Sequence, residues 1–139
     1  MFLGEYSHSI DAKNRLIVPA KFREELGENF VVTKGLDGCL FAYSMEKWEH
    51  ISKIVEGLPQ AKARNLKRFM FSSATVVNPD KQGRVLVVLN LREFAGITKD
   101  IAVIGASDHV ELWDKETWIK LNSEMDSDEI ASAMDELGF

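Results

Sequence analysis

The sequence predicts an α+β protein, mainly β, folded from two copies of one unit. The first observation behind this is an internal repeat. At an offset of 69, Asp11, Arg15, Arg23, Glu24 and Gly27 match Asp80, Arg84, Arg92, Glu93 and Gly96. After a one-residue insertion, Val31, Gly35, Leu40, Ser44, Glu46 and Trp48 align with Ile101, Gly105, Val110, Asp114, Glu116 and Trp118. The second is a series of short apolar runs bounded by turn-type residues, the mark of strands. The third is helical spacing after those runs, as in Met45, Trp48, Ile51, Ile54, Val55 and Leu58. Each unit reads strand, turn, strand, short helix, strand, hairpin, strand, helix. One unit is too small for a good core, so two would bury their sheets against each other about a pseudo-two-fold axis.

The elements follow in order. Phe2 to Ile10 alternates in part and reads as a strand, with Gly4 a bulge or close-approach point. Asp11 to Asn14 gives a tight turn, because aspartate and asparagine tolerate the left-handed region and bond their own backbone. Leu16-Ile17-Val18 resumes a strand that Pro19 ends, and Pro19 opens a short helix to Leu26 with Gly27 at its C-cap. Phe30 to Lys34 and Cys39 to Tyr43 form a hairpin through Asp37-Gly38. Ser44 caps the next helix. Pro59 to about Ser72 is a second helical stretch bearing Arg64, Lys67 and Arg68, with no acid between Glu56 and Asp80. Ala74 to Val77 is a strand, after which the unit repeats. Ile130, Met134 and Leu137 form a stripe on a terminal helix, which is expected to pack on its own chain or on an adjacent subunit. The expected organisation is therefore a first repeat over 1–58, a basic connecting helix over 59–73, a second repeat over 74–125 and an acidic helix over 126–139.

At 139 residues, 45% hydrophobic and 28% charged, the chain has the composition of a folded globular protein. It carries no apolar run of membrane-spanning length and no visible signal peptide, and its single cysteine, Cys39, suits a reducing cytoplasm. The net charge of −5 argues at first against nucleic acid. Residues 111–139, however, hold nine acids against Lys115 and Lys120, and the remainder is net positive. A local basic face matters for DNA, not the total.

The stretches Asp11-Ala12-Lys13-Asn14-Arg15 and Asp80-Lys81-Gln82-Gly83-Arg84 are the organising motif. Together with Met1 to Tyr6, the run from Asp11 to Pro19, and Glu111-Leu112-Trp113-Asp114, they resemble the MraZ family across essentially the whole chain. These are bacterial transcriptional regulators within the AbrB-like, swapped-hairpin superfamily. The resemblance implies an AbrB-like barrel made by two repeats of one chain. It also implies assembly into homo-oligomeric rings, and binding to tandem repeats in the promoter of the family's own division and cell-wall cluster, generally as a repressor at the nucleoid. It makes the two Asp-x-x-x-Arg segments the DNA-binding signature. Where many members have glycine before the first arginine, this chain has Asn14, which also tolerates positive φ.

Arginine at the end of a tight turn suits guanine, whose O6 and N7 accept two bonds from its planar fork. Arg15 and Arg84 are the candidate readers. Lys13, Asn14 and Lys81 are candidate contacts in the turns, the lysines toward phosphate. Asp11 and Asp80 have the wrong charge for phosphate and are expected to brace the turns or orient the arginines. Spacing alone favours plain surface ion pairs that close turns; duplication and resemblance together favour recognition. No nucleotide-binding, hydrolase or metalloprotease motif is present, so an enzyme is not expected. The dispersed His8, His50 and His109 imply no metal, and no cofactor or small-molecule substrate is expected. Asp100, Ser107, Asp108 and His109 read as a hairpin loop. The alternative to a regulator is a structural ring scaffold, with Trp48, Trp113 and Trp118 as interface candidates and core packing as their default.

Overall fold

A computed structural model describes residues 1–139. The chain order is β1 (Glu5–Ser9), β2 (Arg15–Ile17), α1 (Ala20–Leu26), β3 (Phe30–Lys34), β4 (Leu40–Ser44), α2 (Met45–Glu56) and α3 (Gln60–Phe71). It continues with β5 (Thr75–Val77), β6 (Arg84–Leu86), α4 (Leu89–Ala95), β7 (Asp100–Gly105), β8 (Val110–Asp114), α5 (Lys115–Ser123) and α6 (Ser127–Glu136). The two halves carry the same elements in the same order, as the offset alignment requires.

Pairing interlocks the halves. The main sheet runs β1-β7-β8-β4-β3-β5, all antiparallel, and β2 pairs with β6 in a separate two-stranded ribbon. Each hairpin, β3–β4 or β7–β8, is thus flanked by the first strand of the other repeat. Two registers locate the pseudo-two-fold axis. Leu16 faces Val85 in the ribbon and Phe41 faces Glu111 in the main sheet, and both pairs join repeat-equivalent positions. The arrangement is swapped-hairpin-like, as expected, and its strands do not close into a complete barrel. β1 and β5 remain edges of an open sheet, because the ribbon strands pair only with each other.

The core is shared by the repeats. Leu16 and Val85 from the ribbon, Phe22 and Leu26 from α1, and Leu91 and Ala95 from α4 pack on Phe30, Val32, Leu40, Ile101, Val103 and Leu112 of the sheet in one 20-residue cluster. Phe22 meets Phe2 and Tyr6 edge-on at 5.7 and 5.2 Å. Helices cover the opposite sheet face. Trp118 and Leu121 of α5 pack on Cys39, Ala102, Ile104 and Trp113, while Trp48 of α2 contacts Tyr43 and Phe71. Ser44 and Asp114 cap α2 and α5 through the amides of Lys47 and Thr117. The apolar stripe of α2 is only partly core: Val55 is buried, whereas Ile54 is 56% exposed.

The two helices that end the repeats differ. The α3 helix is tied to β3, where the Thr33 hydroxyl donates to the Met70 carbonyl at 2.6 Å and lies 3.0 Å from the Ser73 hydroxyl, itself bonded to the Phe69 carbonyl. The repeat equivalent of Thr33 is Val103, which offers no such tie. Every residue of α6 is exposed, so the terminal helix does not pack on its own chain.

The matched Gly35 and Gly105 are explained by close approach. A Cβ at Gly105 would stand 2.6 Å from the Leu3 backbone nitrogen, and one at Gly35 would stand 2.5 Å from the Phe41 ring. Backbone cannot yield as a ring can. Gly105→Ala is expected to cost about 1–3 kcal/mol, the range for overpacking, and Gly35→Ala less. Thermal melts measure both; an unchanged melting temperature for Gly105→Ala would contradict that packing.

Candidate nucleic-acid interface

The ribbon carries both Asp-x-x-x-Arg turns, one at each end. Alternation along a strand sends successive side chains to opposite faces. Leu16 and Val85 point inward and are buried. Arg15, Ile17, Arg84 and Leu86 therefore share the outer face, where Arg15 pairs with Leu86 and Ile17 with Arg84.

The two turns have the same internal geometry. In the first, Asp11 Oδ1 accepts from the amides of Lys13 and Arg15, each at 2.9 Å, and Oδ2 accepts from Arg15 Nε at 2.8 Å. In the second, Asp80 Oδ1 accepts from the amides of Gln82 and Arg84, each at 2.9 Å, and Oδ2 accepts from Arg84 Nε at 2.7 Å. Each aspartate thus caps its turn and holds its arginine through one edge. The outer Nη edge of Arg15 is left without a partner, and Arg84 adds one bond from Nη2 to Gln82 Oε1 at 3.2 Å. The backbone N–H of Arg15 holds the Asp11 carboxyl below its ordinary value, against a smaller opposing effect of desolvation, and Arg84 does the same for Asp80. A depressed carboxylate contributes stability above its unfolded pKa, near 4, and loses it as pH falls through the folded value. The braces are therefore charged at neutral pH.

Asn14 and Gly83 occupy the left-handed position before each arginine, with φ of 61° and 81°. Their carbonyls accept from the amides of Val87 and Val18, both at 2.9 Å, so each turn is stitched to the opposite repeat. Arg23 and Arg92 act within their own repeats, donating to the Val18 and Val87 carbonyls at 3.0 and 2.6 Å and so holding the residues whose amides make those stitches. The Arg23 guanidinium lies over Gly83, where an added Cβ would meet it at 2.5 Å. Sequence reasoning gave no role to Arg23, Arg92 or Gln82; the repeat match of Arg23 with Arg92 was the available signal. Lys13 and Lys81 are exposed but do not occupy equivalent positions, since Lys13 aligns with Gln82 and Lys81 with Ala12.

At the β7–β8 hairpin, His109 lies between Asp108 (Nδ1, 2.7 Å) and Glu111 (Nε2, 2.9 Å), and its ring stands 4.4 Å from that of Phe41. Lys47 reaches Asp108 at 3.2 Å. Both imidazole nitrogens are engaged by carboxylates, and Asp100 bonds Ser9 instead, so the polar residues of this loop form no nucleophile–base pair. The hydrogen bond to Glu111 raises the histidine pKa most, with burial opposing it. A raised histidine contributes its stability fully below about pH 6.5 and loses it as pH rises through the folded value. Asp108 and Glu111, both depressed by their bonds to His109, lose theirs on acidification. The stability gap between the parent and His109→Asn should be widest at about pH 5–6 and narrow on going alkaline. A gap independent of pH in thermal melts would count against the network. Cys39 is inert packing: burial, then the charges of Glu111 and Asp37, pushes its thiol up to about 12.

No helix is long and apolar enough to cross a membrane. The fold and this surface define a class: a two-repeat, strand-exchanged α+β protein that presents duplicated, aspartate-braced arginine turns on an exposed ribbon. Comparison with known proteins agrees on the two repeats. The family model described as MraZ protein matches twice, over residues 1–69 and 70–137. A protein of Clostridium botulinum (strain Eklund 17B / Type B) named transcriptional regulator MraZ is 53% identical over 141 residues, covering 99% of each chain. Proteins of the same name from Acetivibrio thermocellus and Thermoanaerobacter sp. (strain X514) are 50% and 51% identical, and each alignment spans 99% of this chain. The chain belongs to the MraZ family.

Proposed function

We propose that this protein is a sequence-specific double-stranded DNA-binding transcriptional regulator that represses its own division and cell-wall gene cluster. In this reading it binds tandem promoter repeats with its Asp-x-x-x-Arg turns, as a ring-shaped homo-oligomer on the cytoplasmic nucleoid. The observation that carries the reading is the pair of equivalent turns, each fixing an arginine by one edge and leaving donors turned outward. Relatives named as transcriptional regulators support it. A two-stranded ribbon fits the major groove, and arginine's fork matches guanine there. Lys13 and Lys81 would add phosphate contacts from the turns, beside Asn14, while Asp11 and Asp80 hold both readers in register.

Self-assembly is supported by α6. A ten-residue helix is marginal in isolation, yet α6 exposes Ile130, Met134 and Leu137 along one stripe. Residues 121–139 contain six acids and no base, whereas α3 bears Lys62, Arg64, Lys67 and Arg68 and no acid. Docking of α6 on α3 of the next copy would be heterologous, and such contacts generate rings when the rotation closes. The test of function is footprinting on the DNA upstream of the protein's gene at several salt concentrations. Protected tandem repeats with steeply salt-dependent affinity are expected. No protection at any salt would leave a ring scaffold as the better reading.

A further inference from the structure

The outer face of the ribbon holds two large apolar side chains as well as two arginines. Ile17 is 44% exposed and Leu86 53%, at repeat-equivalent positions, although the core beneath is filled by Leu16 and Val85. Isolated exposed apolar residues are ordinary. These two differ in being duplicated and in sitting directly opposite the candidate readers: Leu86 beside Arg15 and Ile17 beside Arg84. Cross-strand partners on one face have Cβ atoms about 4.5–5.5 Å apart. Each end of the ribbon therefore presents a guanidinium and a hydrocarbon side by side, one from each repeat. The Nη edge of Arg15 has no partner and that of Arg84 holds only Gln82 Oε1 at 3.2 Å, so in the DNA-binding reading this face turns donors toward the bases. In the major groove the one hydrocarbon group among the base edges is the thymine methyl.

We infer that Ile17 and Leu86 are specificity-determining residues that contact thymine methyls, so that each ribbon end reads a thymine adjacent to the guanine taken by its neighbouring arginine. The inference rests on the DNA-binding reading above. It adds what the arginines cannot supply, since a guanidinium does not distinguish thymine from cytosine beside its guanine. It also accounts for apolar residues kept at exposed positions in both repeats.

The test uses the full chain and a randomised duplex library from which it selects binding sites. The selected sites should place thymine next to guanine. Replacing that thymine by deoxyuridine, which lacks only the methyl, should weaken binding about four-fold per contact, the factor that burial of one methyl-sized group corresponds to. Ile17→Ala/Leu86→Ala should bind the thymine and deoxyuridine duplexes equally, with an unchanged oligomer, because neither side chain supports the core. Selected sites without thymine beside guanine would overturn the inference, as would equal affinity of the parent for both duplexes. If Arg15→Ala/Arg84→Ala abolishes binding while deoxyuridine has no effect, the inference fails and the DNA-binding reading stands. If the chain selects no sites, both fail. Disassembly of the Ile17→Ala/Leu86→Ala variant with no deoxyuridine effect in the parent would assign the pair to contacts between copies and overturn it too.

Discussion

Arg15→Ala/Arg84→Ala should lose specific DNA binding while keeping its fold and oligomeric state. A bidentate arginine–guanine contact contributes about 1–3 kcal/mol of discrimination, so two per chain correspond to roughly 30-fold to 10⁴-fold in affinity. The fold should survive because both arginines lie on the outer ribbon face. The turn amides also remain capped through Asp11 Oδ1 and Asp80 Oδ1. Arg15→Lys should fare little better, since a point charge replaces the planar fork and its Nε contact to Asp11. Asp11→Asn should weaken binding less, by loosening an arginine that is otherwise intact. The measurement is titration of a selected duplex, with size-exclusion chromatography to confirm the assembly. Unchanged affinity in the double variant would remove the turns from the interface.

The second large effect is expected from repeat number. One ribbon offers few base contacts, so a single chain on a single repeat should bind weakly. Chains joined in a ring convert later contacts into intramolecular events, which raises affinity by about 10²–10⁴ when spacing matches. Three phased repeats should therefore bind far more tightly than one, and a half-turn insertion between repeats should forfeit most of the gain. Removal of residues 126–139 should collapse the difference, because α6 buries nothing in its own chain and its loss leaves the core whole. Equal affinity for one repeat and three in gel shifts would contradict assembly-driven binding.

Much of this was legible in the sequence. The offset alignment carries the duplicated element order. The residues Asp11 to Asn14 and Asp80 to Gly83 carry enough turn chemistry to place both turns, and Ser44 and Asp114 announce their helices. These are local signals, written in neighbouring residues. What escaped was non-local. Nothing in the spacing of Leu16 or Val85 says that β2 pairs with β6, nor that each hairpin takes the other repeat's first strand, so the openness of the main sheet was not legible. The period of α2 marks a stripe without its width, which is why Ile54 looks like core and is exposed. The Arg23 and Arg92 anchors are local, five residues from their partners, and escape for a different reason: those partners are backbone carbonyls, which have no sequence identity. Ile17 and Leu86 read as strand apolars until the ribbon's register turned them outward.

The most direct test replaces a guanine of the selected site by 7-deazaguanine, which lacks the N7 acceptor but pairs normally. The account predicts that this single-atom change weakens binding by the parent protein and leaves the residual binding of Arg15→Ala/Arg84→Ala unaffected. Equal losses in both proteins, or no loss in the parent, would show that the arginine turns do not read guanine.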